Sequence, residues 1–412
     1  MKIAFVVESF PRKEEMSGGV KVSVRRQAES LSLEHDVVVL AARTVFPRLA
    51  RYSKMREAQG VSGGFRSSEG KTKIYRPRCV HVPLLWKVLG PLQLLFWIVL
   101  VYSVFERKTS LIHAHRCFPV GFAACLAAPL LRLPVVLTTY GSDVNVGLRR
   151  DAVGPWVSFA TSYALSHASV VIAVSRALSS KIESAGIETR RIRVIPSGVE
   201  VSIAGVATRA EARSRLCLPA EARIVLMASN LVPVKDPLTM IRAFVILKAT
   251  MKDAILVILG IGELEEIARR EIGQLLASDF IFLKGRRPRD EIPFWLAACD
   301  VVALSSLDEG CPVVALEGFV NGRPFVGTAV GGVPEIVPDE SVGVLAEPDN
   351  PSSLARALKT ALEKEWDTEK LIQQGLEYSW ENISKRVSRV YAEVCARGGI
   401  GGAANSRGFP SV

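Results

Sequence analysis

Short runs of Val, Ile and Leu recur along the chain, closed by Gly, Pro or polar turns and alternating with longer stretches of helical character. In the first half they predict strands at 2–7, 36–41, 110–114, 134–139, 169–174 and 192–195. In the second half they predict strands at 223–229, 254–259, 279–283, 300–304, 324–328 and 342–345. Runs this apolar suit strands covered on both faces, the environment of a parallel sheet. Two such sets, each interleaved with helices, predict an α/β protein of two doubly wound, Rossmann-like domains facing across a cleft. A chain of 412 residues has room for both cores. The first domain is expected over 1–200 and the second over 201–378. The join is placed near 197–212, where Pro196-Ser-Gly198 runs into a polar, Ala-rich stretch. A last helix is expected at 379–397, and the Gly-rich segment 398–412 reads as a disordered tail.

Two segments break the alternation. Residues 43–78 carry ten Lys and Arg against two acids, with little periodic hydrophobicity. The stretch reads either as a solvated insertion loop or as a basic flap that grips anionic headgroups or a lipid-diphosphate acceptor. Residues 88–105 hold no charge over 18 positions, the lower edge for a membrane span. Pro91 and Gln93 weaken a spanning helix, and the strand at 111–115 must still reach the sheet that contains 2–7. The expectation is an apolar helix of the N-terminal domain, partly exposed and dipping into one leaflet beside the basic flap.

The charge is uneven. Net charge is +11, but residues 1–200 hold 28 Lys and Arg against 14 Asp and Glu, and the remainder holds 24 against 27. The basic half points to a polyanionic surface, with an anionic membrane as the expected partner. Nucleic acid is disfavoured, because aromatics such as Tyr52, Phe65 and Tyr75 are few in the basic stretch and do not interleave with its cations. Seven cysteines stand singly at 79, 117, 125, 217, 299, 311 and 395, without metal-type spacing, and read as reduced thiols of a cytosolic protein. The first strand starts at Lys2, so no secretory leader is expected.

The densest chemistry lies at Glu309-Gly-Cys-Pro-Val-Val-Ala-Leu-Glu317, between an apolar run ending in Ser305-Ser306 and the Gly-rich turns 321–327 and 331–335. A strand, a loop tipped by one carboxylate and a helix carrying a second make a ligand-binding layout, because the helix N-terminus itself attracts phosphate. A carboxylate such as Glu317 can accept both hydroxyls of a vicinal diol. Ser17-Gly18-Gly19-Val20 opens a helix after the first strand, and glycines there admit close approach of a phosphate to backbone amides. Gly260-Ile-Gly262 lacks the third glycine of a dinucleotide fingerprint and reads as an ordinary turn before a helix.

These motifs together resemble glycosyltransferase family 4, retaining enzymes of the GT-B fold, and in particular its exopolysaccharide and teichuronic-acid-type members. The resemblance is specific over 224–346 and looser before 200. It implies transfer of a sugar from a nucleotide diphosphate sugar, UDP by preference, to a glycan or lipid-linked acceptor at the cytoplasmic face of the membrane, by a peripherally bound enzyme. It implies donor contacts from Gly18, Gly19, Asn230, Lys235, Gly310, Cys311, Pro312, Val313, Glu317, Gly331 and Gly332. Lys235 would meet the diphosphate, Glu317 the ribose and Glu309 the transferred sugar. Where the family has an arginine beside Lys235, this chain has Asn230. Leu111-Ile-His-Ala-His115 resembles the I-H-x-H segment, with His115 as the site histidine and His113 in the core. Val136-Leu-Thr-Thr-Tyr-Gly-Ser-Asp143 matches T-x-H-G-x-D, but Tyr140 replaces the family histidine. A phenol is a poor base near neutral pH, which leaves Asp143 as the nearest assisting carboxylate or as a helix cap. No D-x-D motif occurs, so no metal and no cofactor is expected. The last helix is expected to cross back to the N-terminal domain. A nucleotide-sugar epimerase of the same fold, or a non-catalytic sugar-nucleotide-binding membrane partner, remains an alternative at this point.

Overall fold

The computed structural model describes residues 1–11, 19–45, 65–82 and 85–397. Gly18, residues 46–64 of the basic stretch and the segment 398–412 lie outside the described residues.

Ten strands come from the described residues of the first half: β1 (Lys2–Val7), β2 (Asp36–Ala41), β3 (Arg43–Val45), β4 (Arg66–Glu69), β5 (Thr72–Tyr75), β6 (Arg78–Val80), β7 (Leu111–His115), β8 (Val135–Thr139), β9 (Val170–Ala173) and β10 (Ile192–Val194). Eight of them form one sheet in the order β10-β9-β8-β7-β1-β2-β5-β4, parallel except for β4. β3 and β6 pair separately. Six strands follow: β11 (Arg223–Ala228), β12 (Ala254–Leu259), β13 (Ile281–Gly285), β14 (Val301–Leu304), β15 (Phe325–Thr328) and β16 (Gly343–Ala346). They form an all-parallel sheet ordered β13-β12-β11-β14-β15-β16. The central strands are buried along nearly their whole length, as their unbroken apolar runs require.

Each sheet reverses its strand order once, at β7/β1 in the first and at β11/β14 in the second. A doubly wound sheet opens a crevice at that point, because the loops leaving its two neighbouring strands turn to opposite faces. The loops carrying His115 and Arg116, and those carrying Lys235 and Glu309, leave the strands at these two places.

The basic stretch is not one loop. Its described part contributes β5 to the main sheet and β4 to its edge, with Thr72, Ile74 and Tyr75 buried. Arg25, on the helix Gly19–Leu31, is almost wholly buried and bonds Glu29, Glu69 and the Pro11 carbonyl. Arg76 also reaches Glu69 and Ser67, so some of the cations fasten the edge strand.

The helix Trp86–Leu100 belongs to the first domain's core. Leu94, Ile98, Val101 and Tyr102 pack with Ala123, Ala124 and Ala127 of the next helix. By length and composition the helical stretch Trp86–Phe105 is enough to cross a bilayer, yet these residues are committed to the sheet. Its other face is exposed at Val88, Leu92 and Phe96.

The final helix Trp380–Arg397 lies on the first sheet. Ile383, Val387, Val390, Tyr391 and Val394 share a core with Ile3, Phe5 and Val7. The buried Tyr391 hydroxyl lies 2.6 Å from His113 Nδ1, and His113 Nε2 lies 2.7 Å from Thr138 Oγ1, so this core histidine is satisfied on both nitrogens. Tyr391→Phe should strand His113 Nδ1 and cost about 1–3 kcal/mol, the penalty of an unmade buried hydrogen bond. Urea denaturation of the pair of proteins measures it, and an unchanged midpoint would refute the bond.

Candidate active site

Lys235 closes a turn (Pro233–Lys235) between β11 and the helix Pro237–Thr250. That turn is stapled to the end of β14: Ser305 Oγ donates to the carbonyls of Lys235 and Asp236 at 3.2 and 2.6 Å, and the Leu307 amide donates to the Val234 carbonyl. The staple aims the lysine at the next loop, where Lys235 Nζ lies 2.5 Å from Glu309 Oε1. Ser306 Oγ donates to the same carboxylate oxygen at 2.7 Å. Glu309 is buried, so its charge is met by one cation and one hydroxyl.

Gly310 follows. A Cβ there would sit 2.2 Å from the Tyr140 carbonyl of the other domain. Gly331, at φ +51°, and Gly332 fold over the loop, the Gly332 amide donating to the Glu309 carbonyl at 2.9 Å. Cys311 packs against both domain cores, and burial pushes its thiol up to about 12. Pro312 is the residue before the helix Val313–Val320, whose buried Glu317 pairs with Arg289 at 2.5 Å. The Glu317 charge holds the Arg289 guanidinium above its ordinary range, against the opposing effect of burial.

On the facing side, His115 Nδ1 lies 2.9 Å from the Tyr140 hydroxyl, while its buried Nε2 has no partner among the described residues. Burial lowers His115 to about 3, so it is a neutral imidazole at pH 7. Burial raises the Tyr140 phenol far above its ordinary value, which removes it as a base. Asp143, expected as an assisting carboxylate, has both oxygens engaged. Oδ1 accepts the Tyr140 and Gly141 amides at 2.9 and 3.1 Å, and Oδ2 accepts the Cys117 amide at 3.2 Å. It ties the β7 and β8 loops together and is not a free base; nor does it precede its helix as a cap, since that place is held by Gly141.

The structure therefore brings Lys235, Glu309, Gly310, Gly331 and Gly332 together against Tyr140 and, through its hydroxyl, His115. Asn230 is exposed on its own loop. Gly19 begins its helix in open space, with no described atom within 4 Å of where a Cβ would stand. Sequence reasoning missed Arg289, Ser306 and Glu335. The signal for Arg289 was the cationic run Lys284-Gly-Arg-Arg-Pro-Arg289 leaving the end of β13. Glu335 spans the domains, its two oxygens accepting the Arg176 and Ala177 amides at 2.9 and 3.1 Å. Asn145 and Lys181 both reach Asp308 from the opposite side.

The model of the family described as Glycosyltransferase Family 4 matches residues 17–203, and that of Glycosyl transferases group 1 matches residues 208–378. The chain belongs to glycosyltransferase family 4. This family 4 enzyme is 28% identical over 364 residues to the putative teichuronic acid biosynthesis glycosyltransferase TuaC of Bacillus subtilis, covering 87% of this chain and 88% of the relative. It is also 28% identical over 326 residues to an uncharacterized glycosyltransferase of Methanocaldococcus jannaschii, MJ1178, covering 78% of this chain and 86% of that one. Among solved structures, Anabaena HepE in complex with UDP superposes with a TM-score of 0.72 at 20% identity, covering 95% of this chain and all of the other. The fold is GT-B, and the family 4 enzyme is a glycosyltransferase acting on a nucleotide sugar.

A buried neutral histidine makes folding pH-dependent. Its folded pKa of about 3 lies below the unfolded value near 6.5, so the unfolded chain binds the extra proton between them. That contribution to stability is complete above pH 6.5 and is lost as pH falls towards 3. His115→Asn should flatten the wild-type decline by up to about 1.4 kcal/mol per pH unit, with His113 contributing equally to both proteins. Parallel slopes in urea titrations from pH 7 to pH 5 would show that His115 is not buried neutral.

Proposed function

We propose that this enzyme is a retaining glycosyltransferase that moves a sugar from a UDP-sugar to a lipid-linked glycan acceptor at the cytoplasmic face of the membrane, without a metal ion. One observation carries the reading: the Lys235–Glu309 pair at one switch point is pressed, through Gly310, against the Tyr140–His115 wall of the other domain. Lys235 is the cation for the donor diphosphate, and Glu309 receives the hydroxyls of the transferred sugar once that diphosphate takes over its partner. Glu317, positioned by Arg289, receives the ribose. UDP is favoured because HepE, a neighbour in fold, was crystallised with UDP and with UDP-glucose. An envelope polysaccharide acceptor is favoured by the similarity to TuaC.

The titrating groups support a retaining course. Tyr140 holds its proton, His115 is neutral and Asp143 is bound up in amides. The carboxylate expected to assist on the acceptor side is committed to three backbone amides. The leaving diphosphate oxygen then takes the acceptor's proton as the sugar–phosphate bond breaks, and the new glycosidic bond forms on the face the phosphate leaves. Membrane attachment is supported by Val88, Leu92 and Phe96, exposed at four-residue spacing beside the basic half of the chain.

Calorimetry in EDTA should show UDP binding in preference to GDP and ADP, and Lys235→Ala should weaken it about tenfold or more, the contribution of a charge-assisted hydrogen bond. Binding only after divalent metal is added would end the metal-free reading. Wild type should float with anionic vesicles at low salt, and the double change Leu92→Glu with Phe96→Glu should leave it in solution. Equal flotation of both proteins would remove the helix from the membrane surface.

A further inference from the structure

A cavity of about 220 Å³ lies at the other switch point, in the first domain. Its lining is mixed, polar and apolar in similar measure; the apolar part comes from Trp86 and Leu94 on one side, Val120 on another, and Ala42 just past the end of β2. Its polar lining includes Glu8, directly after β1, and Arg116, directly after β7. The crevice between those two strands is where an open α/β sheet takes a ligand. The donor residues Lys235, Glu309 and Glu317 contribute nothing to its lining.

We propose that this cavity binds the lipid-proximal end of the acceptor: the first apolar segment of a chain esterified to phosphate, with the phosphate at Arg116. The inference rests on the lipid-linked reading of the acceptor and gives it a place. Three observations carry it. The first is the lining itself, apolar side chains such as Trp86, Leu94 and Val120 beside the polar Arg116, Glu8 and Thr44, which suits the junction of an apolar chain with a phosphate. The second is the helix Trp86–Leu100, which has two apolar faces. Trp86, Gly90 and Leu94 line the cavity, while Val88, Leu92 and Phe96 are exposed on the outside. One helix thus borders both the cavity and the outer apolar surface. The third is the state of the polar pair. Arg116 meets Glu8 at 3.0 Å with both side chains substantially exposed, so the contact is weak and yields readily to an incoming phosphate. Arg116 also holds φ +79° and ψ 147°, a backbone region almost confined to glycine, and such strain gathers where a ligand is clamped. The residue before it is His115, whose buried Nε2 is unpartnered among the described residues, so the Arg116 phosphate lies one residue from the wall that faces the donor.

The test uses the full chain with farnesyl phosphate, farnesol and inorganic phosphate as probes, read by tryptophan fluorescence beside a Trp86→Phe control. Farnesyl phosphate should change the Trp86 signal and bind more tightly than farnesol or inorganic phosphate. Arg116→Gln should weaken farnesyl phosphate by about tenfold while leaving farnesol unaffected. Ala42→Leu should fill the cavity and abolish binding of both isoprenoids, with a wild-type urea midpoint and UDP calorimetry together showing that both domains of the variant are folded. Binding that survives Ala42→Leu overturns the proposal, as does binding of inorganic phosphate as tight as that of farnesyl phosphate. Undiminished transfer to a lipid-linked acceptor by Ala42→Leu also overturns it, and leaves the lipid-linked reading standing. If wild type binds UDP but transfers to no lipid-linked acceptor, that reading falls instead, and the cavity stands or falls on farnesyl phosphate binding.

Discussion

The two domains meet where backbone touches backbone. Gly310 lies against the Tyr140 carbonyl, and Gly331 and Gly332 lie against the carbonyls of Glu309 and Gly310, each too close for any side chain. This contact sets the rest of the site. It brings a carboxylate and a lysine from one sheet to the histidine–tyrosine wall of the other, with no bulky group between. A methyl at Gly310 would separate the sheets, and a methyl at Gly331 would strain a left-handed residue as well as collide with the Glu309 carbonyl.

Charges in the site are handled by pairing. Glu309 has Lys235 and Ser306, and Glu317 has Arg289. Burying either carboxylate alone would be costly, and in each case the cation comes from another loop of the same domain. The side facing them is built differently. Its histidines are neutral, its tyrosine keeps its proton, and its Asp143 is taken up by three backbone amides. The charge pairs and the His115–Tyr140 wall therefore belong to different domains, and the contact at Gly310 places one against the other. Glu335, which caps the helix Arg176–Ser184 from across the interface, holds that contact with two hydrogen bonds.

Much of this was legible in the chain. Strands buried on both faces announce themselves as apolar runs, and β1, β2, β11 and β12 fall where those runs lie. The strand β5, Thr72–Tyr75, was hidden because strands near a sheet edge carry polar residues and this one sits among cations. Glu309, Lys235 and the glycines are visible because each lies in a short motif of neighbouring residues that resembles the family's, although the contacts that place them are distant in sequence. Arg289 is not, because it reaches Glu317 from 28 positions away, and no local spacing encodes that contact. Asp143 shows a different limit. A carboxylate in the first turn of a short helix reads equally as cap or base, and only the positions of the Tyr140, Gly141 and Cys117 amides decide that it is a tie between loops.

The docking of Trp380–Arg397 onto the first sheet has a consequence for biosynthesis. Val387 and Tyr391, made after the second domain, complete the core around Ile3 and Phe5, made before it. The second sheet is closed by segments that emerge before that helix. On a ribosome that delivers the chain from its N-terminus, the first domain must wait with one apolar flank open while the second finishes. The order of synthesis and the order of completion are opposite, and the unfinished flank is the surface a nascent-chain chaperone would find.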